Sequence, residues 1–158
     1  MNRLHYILDG YNIIHAIPSL KRTLVHDAES AREMLIHSAG QFCITKKIRC
    51  TIVFDGIAPD TFRKGPSHAP LHVVYSSPLT ADAKIKQMIE HSKICSLLVI
   101  ISSDREILRF AKVCSCQSHT SKHFTHLLAD TDDIITEKSD APLSPSQIDE
   151  WLRLFGEK

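Results

Sequence analysis

No apolar run in this chain approaches the roughly 20 residues needed to cross a bilayer, so no membrane-spanning helix is expected. The opening Met1-Asn2-Arg3-Leu4 enters at once a short strand-like run that Asp9 ends. That run lacks the length of a secretory leader, and a cytoplasmic setting is expected. A disulfide framework is missing too, because the cysteines number five, an odd count. Cys43, Cys50 and Cys95 lie in apolar segments and read as small buried hydrophobes. Surplus charge of either sign is lacking: the formal net charge is +1. Such a balance does not advertise a polyanion binder, so any basic surface must be local. The chain shows no internal repeat and no low-complexity tract. What is present is 158 residues, 43% hydrophobic and 23% charged. That suits one domain, residues 1–158, with a proper core.

Apolar runs and helical spacings alternate along the chain. Leu4 to Leu8, Cys50 to Phe54 and Leu97 to Ile101 read as strands, and the last is continuous enough for burial on both faces. Leu71 to Tyr75 is a shorter strand. Asp27 caps a helix to about Lys46, with Ala31, Leu35, Ala39, Phe42 and Cys43 on one stripe. Thr80 caps a second helix to about His91, and Asp104 opens a third with Ile107, Leu108 and Ala111 inward. Tyr11 to His26, with Pro18, reads as a connection. A short last strand within Cys114–Ser118 and a short helix from Ser121 to Leu128 follow. Residues 130–143 read as an acidic linker to a C-terminal packing helix, 144–155, with Ile148, Trp151, Leu152 and Phe155 on its apolar stripe. Strand–helix alternation predicts an α/β fold: three layers, a mostly parallel central sheet and helices on both faces. The link from Asp55 to Leu71 shows no clear helix, so either an irregular loop crosses to the third strand or that strand is antiparallel or marginal.

Acids stand where such a sheet gathers them. Asp9 and Asp55 close the first two strands, Asp104 follows the fourth, and Asp82 opens a helix. Ligand crevices of open α/β sheets lie outside the carboxyl ends of the strands. Clustered carboxylates repel unless a proton or cation sits between them, and hard oxygen ligands suit Mg²⁺ or Mn²⁺. Taken singly, Asp82 and Asp104 also read as helix-start acids, and Asp55-Gly56 as a turn. Asp9 has no such reading, since it ends a strand. Asp9-Gly10-Tyr11-Asn12 is the sharpest motif: the glycine allows a tight turn, and Asn12 is expected to point its amide back at the carboxylate.

The run Ile7-Leu8-Asp9-Gly10-Tyr11-Asn12-Ile13-Ile14 resembles the opening of the YacP-like NYN domains, a branch of the PIN-like nucleases. Ala28-Glu29-Ser30-Ala31-Arg32, Val53-Phe54-Asp55-Gly56, Thr80-Ala81-Asp82, Ser102-Ser103-Asp104 and a tryptophan-bearing last helix follow in order. Near the last strand, where the family usually shows a glycine, this chain has Cys114-Ser115-Cys116. The resemblance implies a PIN-like fold and a metal-dependent endoribonuclease, with RNA as substrate and the ribosome as a setting for cutting mRNA. It implies that Asp9, Asp82 and Asp104 hold Mg²⁺ or Mn²⁺, with Asp55 nearby and Asn12 orienting the site. Arg63 and Lys64 in the long loop, with Lys84, Lys86 and Arg105 near the acids in sequence, are candidates for RNA phosphates.

Other chemistries fit less well. A haloacid-dehalogenase-type phosphatase needs a second Asp two residues after the first, where this chain has Tyr11. A receiver domain needs a paired acid early and a lysine after the last long strand; Arg3 and Ser102-Ser103-Asp104 stand there instead. Cys114, Cys116, His119 and His123 miss the usual zinc spacing. An RNA- or ribosome-binding module that kept the acids without catalysis is the alternative of a different class.

Overall fold

A computed structural model describes residues 3–66 and 68–138, with side chains as far as Asp130. Five strands form one sheet in the order β3-β2-β1-β4-β5, and every neighbouring pair is parallel. The strands are β1 (His5–Asp9), β2 (Arg49–Phe54), β3 (Leu71–Tyr75), β4 (Leu98–Ile101) and β5 (Gln117–His119). The helices are α1 (Gly10–Ala16), α2 (Pro18–His26), α3 (Ala28–Lys46), α4 (Ala81–His91), α5 (Arg105–Val113) and α6 (Ser121–Lys138). From β1 the chain steps outward through β2 and β3, then returns to lay β4 on the other side of β1. The switch point therefore lies between the carboxyl ends of β1 and β4.

Successive strand residues point to opposite faces, and both faces are buried. Leu8, Ile52, Phe54, Val99 and Ile101 meet α3, α1 and Phe124 of α6 on one side. Ile7, Val53 and Ile100 meet Ala81, Ile85 and Ile89 of α4 and Ile107 and Ala111 of α5 on the other. This two-sided burial is why the strands read as unbroken apolar runs.

Caps fall where the sequence places them. Asp27 accepts from the Ser30 N–H, and Thr80 from the Ala83 N–H. Lys47 ends α3 in the left-handed region, φ 56. Ser115 is also left-handed, φ 67, a conformation that favours glycine.

Two local expectations are corrected, and one choice that the sequence left open is resolved. Tyr11–His26 is two helices and not a connection; Pro18 is the first residue of α2, where its missing N–H costs nothing. The β2–β3 link contains no helix among its described residues, yet β3 is parallel, with Cys50 opposite Leu71 and Phe54 opposite Tyr75. Phe62 holds that loop, packing edge-on against Tyr75 at 5.1 Å. Finally, α6 runs on to Lys138, so the first residues of the expected acidic linker are helical. The expected packing helix with Trp151 lies outside the described residues.

Candidate functional site

Asp9 ends β1 beside the switch point and is buried, 8% exposed. The Ser102 hydroxyl, just past β4, donates to its Oδ2 at 3.0 Å. Burial raises the Asp9 carboxyl from 3.8 to about 6, and repulsion from Asp82 and Asp104 adds to the rise against the opposing Ser102 bond. The same Ser102 oxygen accepts from the Asp104 N–H at 3.1 Å, so one hydroxyl ties the ends of β1 and β4 together.

Asp104 caps α5, accepting from the Glu106 N–H at 2.8 Å. Its helix-start role is real and coexists with a second one. Asp82, the second residue of α4, meets it across the crevice. The Asp82 carboxyl is raised by burial first, then by its hydrogen bond with Asp104 and by the charge of that neighbour; Lys86 lowers it and Glu106 raises it. Carboxylate oxygens of Asp82, Asp104 and Glu106 all lie within 4.8 Å of one another. No other such group of three occurs among the described residues, so Cys114, Cys116, His119 and His123 do not gather as ligands. The N-termini of α4 and α5 both face the cluster, and their dipoles favour negative charge there.

Glu106 is the residue sequence reasoning missed. Its signal was position: it sits in the first turn of the helix that Asp104 caps, on the same end. Lys86 pairs with it at 3.1 Å.

Asp55 stands apart from this group. Its Oδ1 accepts from the Ala81 N–H at 3.0 Å and from the Ser76 hydroxyl at 3.4 Å. It braces the start of α4 one residue before Asp82, while Gly56 turns the chain at φ 105. Asn12 also differs from expectation. Its side-chain oxygen accepts from the Ser103 N–H at 2.8 Å and the Ser121 hydroxyl at 2.6 Å. It is a positioning residue that locks α1 to the end of β4 and to α6. Gly10 is needed for space: it begins α1, and a Cβ there would meet the Phe54 ring at 2.5 Å.

Of the basic candidates, Lys86 stands at the acids, paired with Glu106, while Arg63, Lys64 and Lys84 line surfaces elsewhere. Arg63 and Lys64 line a hollow at the β3 edge. Lys84 donates to Gln87 and lines a groove with His5 and Leu98, which start β1 and β4. Arg105, exposed in the first turn of α5, is the one next to Asp104 in the chain. Tyr11 accepts from Arg32 and packs on Phe54 at 5.2 Å, and Tyr75 packs on Phe54 and Phe62, so both serve the core.

A parallel sheet ordered 3-2-1-4-5, with carboxylates at its switch point, defines a three-layer PIN-like α/β domain. The family model of the YacP-like NYN domain matches residues 6–151, and the chain belongs to that family of nuclease-type domains. It is similar in fold to the crystal structure of Rae1 (YacP) from Bacillus subtilis: TM-score 0.68, 21% identity, covering 84% of this chain and 78% of that one. The W164L mutant of that protein gives TM-score 0.70 at 20% identity, covering 96% and 92%. No curated protein sequence matches the chain.

Proposed function

We propose that this chain is a metal-dependent endoribonuclease, acting on mRNA in a ribosome-associated setting. The observation that carries the chemistry is the convergence of Asp82, Asp104 and Glu106 at the switch point, in front of buried Asp9. Three carboxylates this close repel one another, and a hard divalent cation offsets that repulsion through oxygen ligands alone. The donor set therefore fits Mg²⁺ or Mn²⁺. Asp82, Asp104 and Glu106 would hold the ion, with Asp9 adding negative charge behind them; Asp55 supports the start of α4 instead. When bound, such an ion supplies charge neutralisation at phosphate and an activated water at neutral pH.

The remaining work belongs to the chain's own groups. Ser102 fixes Asp9 against the end of β4, and Asn12 holds Ser103 in register with α6. Arg105, in the first turn of α5, supplies a cation toward the phosphodiester. Family membership supports RNA and the ribosome as the setting.

The test is cleavage of structured and unstructured RNA with Mn²⁺, Mg²⁺ or EDTA. Wild type should cut with a divalent ion and not in EDTA. Asp82→Asn should lose roughly 100-fold or more in cleavage, the scale of removing one group that stabilises transition-state charge, with RNA affinity held or slightly raised. Wild type that binds RNA and cuts nothing with any divalent ion would make the chain a binding module instead.

A further inference from the structure

At the amino ends of the same strands, the face of the sheet beneath α4 carries basic side chains in linings without acids. Two hollows, about 510 and 320 Å³, share Met88 as a common wall. The larger wraps the free edge of β3 and is lined by Arg49, Arg63, Lys64 and His72. The smaller runs along α4 and is lined by His5, Lys84 and His91. Neither lining includes a carboxylate. The chain as a whole carries 19 Lys and Arg against 18 Asp and Glu, so this local separation of sign is not a consequence of composition.

The groove is built. Arg63 Nη1 donates to the Asp60 and Phe62 carbonyls at 2.9 and 3.0 Å, which fixes the guanidinium without neutralising it. Thr51 and Val74 form part of the floor. His5 Nε2 lies 2.7 Å from the Thr51 hydroxyl. Burial first, then the nearby Arg49 and His72, push the His5 imidazole down to about 4, so His5 is neutral near pH 7 and the positive charge of the lining comes from Arg49, Arg63, Lys64 and Lys84.

We propose that this groove binds the sugar–phosphate backbone of a single-stranded RNA at a site separate from the acidic cluster. The larger hollow lies at the β3 edge and the smaller opens over the starts of β1 and β4, with Met88 between them; two adjoining concavities suit a chain of phosphates, whereas a flat lipid surface would meet the rims and miss the floors. The assignment rests on the ribonuclease reading in naming RNA as the polyanion. Its own content is that Arg49, Lys64 and Lys84 act as one phosphate-binding unit.

The experiment is fluorescence anisotropy with a labelled oligouridylate in EDTA, across about 50 to 200 mM salt. Wild type is compared with Arg49→Gln/Lys64→Gln/Lys84→Gln and with Lys112→Gln on the exposed face of α5; melting curves check the fold. The triple variant should bind at least tenfold more weakly at low salt. Its slope of log affinity against log salt should shrink by about 2, from three contacts at about 0.7 each on a single strand. Lys112→Gln should bind as wild type. If the triple variant folds poorly, Arg49→Gln and Lys64→Gln, both exposed positions, should each lower the slope by about 0.7. Wild-type binding and slope in the groove variants overturn the groove and leave cleavage at the acids standing. Absence of both RNA binding and cleavage in wild type overturns the ribonuclease reading together with the groove. Groove-dependent binding to phosphatidylserine vesicles with none to RNA assigns the surface to a membrane and overturns the proposal.

Discussion

Asp9 concentrates the electrostatic tension of the site in one side chain. Its folded carboxyl titrates near 6 against an ordinary 3.8, so the native state holds the proton more tightly than the unfolded chain does. The linkage follows directly: this contribution favours folding at acid pH and is lost as pH rises through about 6. The shift corresponds to about 3 kcal/mol at most in metal-free protein. His5 works the other way. Its folded value is pushed down to about 4, so its contribution is present above the ordinary 6.5 and is lost as pH falls. The two overlap, and a wild-type curve alone would blur them. Asp9→Asn separates them: in EDTA, its stability advantage over wild type should grow from acid to neutral pH, measured by urea denaturation. A constant difference across that range would remove Asp9 as the source.

At the scale of elements, α1 is the bracket of the site. It follows Asp9 directly, lies tight on Phe54 because Gly10 has no side chain, and reaches β4 and α6 through Asn12. Asn12→Ala leaves the Ser121 hydroxyl, which is fully buried, without that acceptor. The expected loss is about 1–3 kcal/mol, the cost of an unsatisfied buried polar group. Asn12→Asp keeps an acceptor oxygen and should recover most of the loss. Thermal melts of the three proteins decide it; equal melting of Asn12→Ala and wild type would mean that core packing alone docks α1.

The whole molecule responds to the cluster through binding linkage. An ion held by the folded cluster and not by the unfolded chain adds about 2.7 kcal/mol at 100-fold excess over its Kd. Mn²⁺ or Mg²⁺ should therefore raise the melting temperature of wild type. Asp82→Asn/Glu106→Gln should abolish that rise while leaving the metal-free fold intact, since both side chains sit at helix starts outside the core. An undiminished response in the double variant would place the ion elsewhere.

The residue pattern by itself determined the sheet, the principal helices and the neighbourhood of the site. Unbroken apolar strand runs, helical stripes and the caps at Asp27, Thr80 and Asp104 are local, set by residues within a turn or a strand of one another, so they are legible in one dimension. Asp9 could be singled out because it ends a buried strand. Short α1 and α2 were hidden because neither is long enough to show a period and Pro18 reads as a break. Only the tertiary structure decided which acids meet. In the chain Asp82 is the stronger candidate and Asp55 a secondary one, and the entry of α4 turns Asp55 into a brace on Ala81 and carries Asp82 to Asp104. Glu106 joined them because α5 leaves β4 at the switch point. Lys84, Arg63 and Lys64 likewise separate from the acids because α4 presents Lys84 toward the strand starts and the long loop carries Arg63 and Lys64 to the β3 edge. These outcomes depend on strand order and helix entry, contacts between residues distant in sequence, which local spacing does not encode.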